Sequence, residues 1–260
     1  MTDEITYKKE YGKGVSTDKQ IDIVERILKK GKRNFGSSGA SLTHQIYNPI
    51  YQDTGINASL ATIGLQGEHA TTKVLKKWIA DKPAAIIVDS VHLQGAGKEE
   101  FNEETGTLEG GDTDHILIVG NYVVLIDSKN WKGKKKYGVS ERGEVLRSGK
   151  PFPGGKVHTR EALYLWRKYL RPYKPFFNSI ISITSEKVYV VRDVNWWKQQ
   201  FKIVTIEELP EFLDKVWAQI DDNSKSLINV NLVSDIVINA IKPFDRYKEQ
   251  LGSVAKLLDV

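Results

Sequence analysis

The stretch from residue 111 to 133 constrains this chain more than any other. Two short apolar runs, His115 to Val119 and Tyr122 to Ser128, are separated only by Gly120-Asn121. A two-residue Gly-Asn link between such runs predicts an antiparallel hairpin. Side chains two apart on a strand share a face, so Asp127 and Lys129 continue the side of Val123 and Leu125. The start of the first strand lies beside the end of the second, which brings Asp114 next to Asp127. A charge at a strand end is usually a solvated terminus. Here two carboxylates and a lysine gather where the face is otherwise apolar.

The helix predicted upstream adds a third carboxylate. Glu68 to Ala80 has a buried stripe of Thr71, Val74, Leu75, Trp78 and Ile79, and Glu68, seven residues before Leu75, lies on it. Carboxylates held together repel unless a cation neutralises them, and hard oxygen ligands suit Mg²⁺ or Mn²⁺. Such a metal stabilises charge on a scissile phosphate and acidifies bound water, and a neighbouring lysine orients that water or holds phosphoryl charge. The chemistry this predicts is metal-assisted phosphodiester hydrolysis.

Composition narrows the alternatives. Among 260 residues there is no cysteine, which excludes disulfides, thiol nucleophiles and Cys-ligated metal. The five histidines, at 44, 69, 92, 115 and 158, lack zinc-ligand spacing. No apolar run approaches the ~20 residues of a membrane span, and the N-terminus has no signal-peptide layout, so a cytoplasmic protein is expected. The 38 Lys and Arg exceed the 33 Asp and Glu by five, a surplus compatible with a polyanionic partner.

Elsewhere the pattern is coarser. Ser16 or Thr17 caps a helix through Ile21, Ile23, Val24, Ile27 and Leu28, and residues 34–57 read as loop. Ala85 to Leu93 reads as a strand, followed by an acidic loop over residues 94–111. Past Trp131 the chain turns basic and glycine-rich. His158 to Leu170 reads as a helix with Ala162, Leu165 and Tyr169 on one face, and Ile180 to Thr184 and Lys187 to Val191 as strands. Thr205 and Glu208 have capping-box spacing before Phe212, Leu213, Val216 and Trp217. The tail from Asn223 suits two helices broken near Pro243.

Three blocks resemble the nuclease-related domain family, a branch of the PD-(D/E)xK nuclease superfamily: Gly64-Leu-Gln-Gly67-Glu68, Gly111-Asp-Thr-Asp114-His115, and Val124-Leu-Ile-Asp127-Ser-Lys129-Asn130-Trp-Lys-Gly133. The resemblance covers roughly residues 60–215. It implies an α/β fold with a mixed central β-sheet flanked by helices, a restriction-endonuclease-like core over residues 61–216. Helical or irregular extensions would occupy residues 1–60 and 217–260. It implies a DNA nuclease in which Glu68, Asp114 and Asp127 hold Mg²⁺ or Mn²⁺ and Lys129 assists the attacking water. The family usually has Glu where this chain has Asp127, and often Gln where His158 falls.

The neighbouring residues carry two readings each. Asp112 shares the face of Asp114, as a second ligand or as part of a turn. His115 points to the opposite face, where a structural hydrogen bond is the simpler role. Lys132, Lys134, Lys135 and Lys136 are either a solvated loop or a phosphate-binding rim for DNA, with RNA also open. Trp131 suits packing or base stacking. The terminal extensions are candidates for contact with a protein partner or a second copy. A rival reading is a nucleic-acid-binding or assembly module that keeps the nuclease fold without turnover. A hydrolase of small phosphates is a further one, disfavoured by the lack of a nucleotide-cradling glycine loop.

Overall fold

The computed structural model describes residues 17–36, 38, 58–92, 101–102, 107–108, 112–131, 135–140, 144–152, 162–163, 165–185, 189–191, 201–222, 225 and 227–240. Among these, no helix is long and apolar enough to cross a membrane.

A mixed six-stranded sheet forms the centre. In spatial order it comprises β1 (Asn34–Phe35), β2 (Ala85–His92), β5 (Asp112–Val119), β6 (Tyr122–Lys129), β10 (Phe176–Ile183) and β12 (Phe201–Thr205). The β2, β5 and β6 contacts are antiparallel, and β1, β10 and β12 join in parallel. Val119 pairs with Tyr122 across Gly120-Asn121, and Gly120 takes the positive φ (56°) that a tight hairpin needs at its first central position. Both faces of β6 are buried from Tyr122 to Ser128, which explains its nearly continuous apolar sequence.

Two helical layers cover the sheet. On one face, α1 (Asp18–Lys29), the helical residues 162–163 and 165–170 and α4 (Val230–Ser234), which continues as a π-helical segment Asp235–Ala240, bury Ile86, Val88, Ile116, Ile118, Val123 and Leu125. On the other, α2 (Ala58–Ile79) and α3 (Leu209–Gln219) bury Ile87, Leu117, Val124, Ile126, Ile180 and Val204. Val24, Ile27 and Leu28 of α1 are buried, worth about 1.5–3 kcal/mol each on this scale of burial. Thr17 caps α1 in a reciprocal box with Gln20.

A second, four-stranded sheet lies against the first in the order β11 (Tyr189–Val190), β7 (Lys136–Val139), β8 (Val145–Arg147) and β9 (Lys150–Pro151). Tyr137 and Val145 pack on Ile181, Ile183 and Ile203. A short pair, β3 (Phe101–Asn102) and β4 (Thr107–Leu108), completes the described strands.

Several local expectations change. The helix expected at Glu68 begins ten residues earlier, so Gly64 and Gly67 lie within it. The glycine-rich stretch after Trp131 contains three strands, and a further strand, β12, precedes α3. Of the expected Lys187–Val191 strand, Tyr189–Val190 is strand and belongs to the second sheet, while Lys187 and Val188 lie outside the described residues. At α3, half of the anticipated box forms: the Thr205 N–H donates to Glu208 at 2.9 Å, and the helix starts beyond it with Pro210 in its first turn. Ser16 and Pro243 lie outside the described residues.

Candidate active site

The hairpin register dictates the centre of the site. His115 pairs with Ile126, and one position beyond, Asp114 lies beside Asp127 on the face of Ile116 and Leu125. The Ser128 N–H donates to Asp114 Oδ2 at 2.6 Å. Lys129 Nζ donates to Asp127 Oδ1 at 2.7 Å, with the lysine more exposed than the nearly buried carboxylate.

Glu68 enters from α2. The N-terminal half of that helix runs past the strand ends, and its closest approach is at Gly67. A Cβ there would stand 2.9 Å from Thr184 Oγ1 and 3.3 Å from Asn130 Cβ, the residues that follow β10 and β6. Asn130 Nδ2 also donates to the Ile63 carbonyl at 3.1 Å. This contact turns Glu68, only 4% exposed, toward the hairpin.

Electrostatics connect the groups. Desolvation pushes the Asp114 carboxyl well above the ordinary carboxylate range; the charges of Asp127 and Glu68 push it further, and Lys129 and His115 oppose them. A hard cation would relieve that repulsion, so the donor set suits one chemically. As the side chains stand, no three or more His, Asp or Glu among the described residues form a metal-ligand group, and Lys129 is bonded to Asp127.

Behind the site, on the opposite face, runs a buried polar network that sequence reasoning left unassembled. His115 Nδ1 is 2.7 Å from Asp89 Oδ1, and its Nε2 is 3.0 Å from Ser128 Oγ. The Ser128 hydroxyl donates to Thr71 Oγ1 at 2.8 Å, the Thr72 hydroxyl to Asp89 Oδ1 at 3.4 Å, and Asn34 Nδ2 to Asp89 Oδ2 at 2.8 Å. Ser128 is the hinge between network and site, since its side chain faces the network and its N–H holds Asp114. Polar residues at apolar positions were the available signal: Thr71 and Thr72 on a buried helix stripe, and Asp89 directly after Ile86-Ile87-Val88.

The other candidates are placed unevenly. Asp112 opens β5 opposite His92, in a strand rather than a turn. Lys135 and Lys136 are exposed at the start of β7. Trp131 is a packing residue, stacked 4.4 Å from Tyr137. Lys132, Lys134 and His158 lie outside the described residues.

Residues 63–184 match the family model of the nuclease-related domain, a PD-(D/E)xK-type nuclease-like domain. Domains of this kind usually use divalent metals and imply a nucleic-acid substrate. Comparison with curated proteins and with solved structures found no match.

Proposed function

We propose that the nuclease-related domain at residues 63–184 makes this chain a metal-dependent nuclease that hydrolyses phosphodiester bonds of DNA. The observation that carries this reading is the hairpin register that sets Asp114 beside the Asp127–Lys129 pair, with Glu68 close enough to push the Asp114 carboxyl upward. Glu68, Asp114 and Asp127 would hold Mg²⁺ or Mn²⁺, which supplies charge neutralisation at the phosphate and a more acidic bound water.

The chain's own residues supply the rest. The Ser128 N–H fixes the Asp114 carboxylate, so one ligand is preorganised on a strand rather than a loop. Lys129 is tethered to Asp127 at one end of its range and is exposed enough to turn to a phosphoryl oxygen or to the attacking water. Substrate binding that draws Lys129 away frees Asp127 Oδ1 as an acceptor. Lys135 and Lys136 supply positive charge for the phosphate backbone.

The Lys129–Asp127 ion pair also favours a second reading, a module that binds nucleic acid with this fold and does not turn over. One experiment separates them: purified protein is incubated with linear, circular and single-stranded DNA, and with RNA, in Mg²⁺ or Mn²⁺, beside Asp127→Ala and Lys129→Ala. Cleavage by wild type that falls at least 100-fold in both folded variants supports hydrolysis. Salt-dependent binding without cleavage in any of the three supports the silent module.

A further inference from the structure

The small sheet has two unlike faces. Its inner face is sealed: Tyr137 and Val145 pack with Ile181, Ile183 and Ile203, and Arg147 lies 4.6 Å over the Phe152 ring. Ile181 and Ile183 are the register partners of Asp127 and Lys129. The small sheet is therefore seated beside the candidate site, on the same face of the large sheet.

Its outer face is open. Tyr189 pairs with Lys136, so both point outward, and Val191 follows two residues on. Tyr189 is 60% exposed and Val191 57%. Gly138 adds no side chain next to them, and a Cβ there would meet the Val191 carbonyl at 3.3 Å. Lys136 is the exposed cation on this face, whereas Arg147 and its partner Lys150 share the inner side with Tyr137. An exposed aromatic ring beside a lysine ammonium on the neighbouring strand suits a base stacked on the ring with a phosphate held at its side. Strand spacing of about 4.8 Å puts the ring and the Lys136 ammonium within reach of one nucleotide. A duplex keeps its base faces stacked on each other, so the ligand chemistry that fits is an unpaired strand.

We propose that the outer face of the small sheet binds a single-stranded nucleic-acid segment, with one base stacked on Tyr189 and an adjoining phosphate on Lys136. This rests on the nucleic-acid reading of the adjacent site, but not on turnover there.

The test measures binding in EDTA, so that cleavage plays no part. A labelled single-stranded oligonucleotide and its duplex are titrated with wild type, Tyr189→Phe, Tyr189→Ala and Lys136→Ala, each first checked for an unchanged thermal midpoint. Wild type should prefer the single strand, Tyr189→Phe should keep that affinity, and Tyr189→Ala should weaken it about five-fold or more. Lys136→Ala should lower the salt dependence by about 0.7 in the log–log slope, the share of one phosphate contact on a single strand. Equal single-strand affinity of wild type and Tyr189→Ala overturns the proposal. So does self-association that Tyr189→Ala abolishes with oligonucleotide binding unchanged, since the face would then be a protein contact. Tyr189-dependent binding by a protein that cleaves nothing supports this proposal and removes the hydrolytic reading alone.

Discussion

Asp114 is where the residues around the hairpin act on one another. A carboxyl whose folded-state pKa lies above its unfolded value holds its proton more tightly when folded. The stability it lends is present at low pH and is lost as pH rises through the folded value. In EDTA, Asp114→Asn should therefore raise the thermal midpoint at neutral pH by about 2–4 °C, the shift expected of ~1 kcal/mol, and should flatten the decline with pH. Mn²⁺ should raise the midpoint of wild type and leave Asp127→Ala nearly unmoved, by linkage of binding to folding. His115 calls for a different measurement. Removing its ring in His115→Ala takes the 2.7 Å partner from buried Asp89, which keeps Asn34 and Thr72, and urea unfolding should show a loss of about 1–3 kcal/mol. The hairpin part of this site was legible because period-two alternation and a two-residue turn are local rules. The network of Asp89, His115, Ser128 and Thr71 was not, because four elements contribute to it and only sheet register brings them together.

At the scale of elements, packing overruled propensity. Each glycine inside a helix costs ~1 kcal/mol relative to alanine, so Gly64 and Gly67 read naturally as a helix start. In the fold α2 continues through both, because Gly67 lets the helix backbone touch Asn130 and Thr184. Gly67→Ala, stabilising by propensity alone, should instead destabilise and reduce cleavage, since it pushes Glu68 off the strand ends. Thr184→Ala removes the hydroxyl that the new methyl meets at 2.9 Å, and should restore part of both losses when combined with it. Three strands of the small sheet, β7, β8 and β9, escaped sequence reading for another reason. They have two to four residues, too few to show alternation, and lie in a run of lysine and glycine whose local preference is for loop, whereas β11 falls in the expected Lys187–Val191 strand.

Across the whole molecule, residues distant in sequence share one face. α1 and α4 pack together over Ile86, Ile116 and Val123, and β1 adds an edge strand beside β2. Amphipathic spacing revealed α1 as a helix but could not say what it covers, since its partners lie at the other end of the chain. At the far end of the sheet, burial lowers the Lys202 ammonium from 10.5 to about 8, while Nζ donates to Asn178 Oδ1 at 2.8 Å. A lysine that binds its proton less tightly when folded costs stability below the folded value, and that cost disappears as pH rises from about 8 toward 10.5. Lys202→Met should therefore flatten the rise in urea midpoint between pH 7.5 and 10 that wild type shows. The pairing of α1 with α4 has a further consequence during vectorial synthesis. The Val24–Leu28 stripe leaves the ribosome long before Leu232 and Val233 exist, so the sheet residues Ile86, Ile116 and Val123 must cover it first and the last-made helix completes the seal.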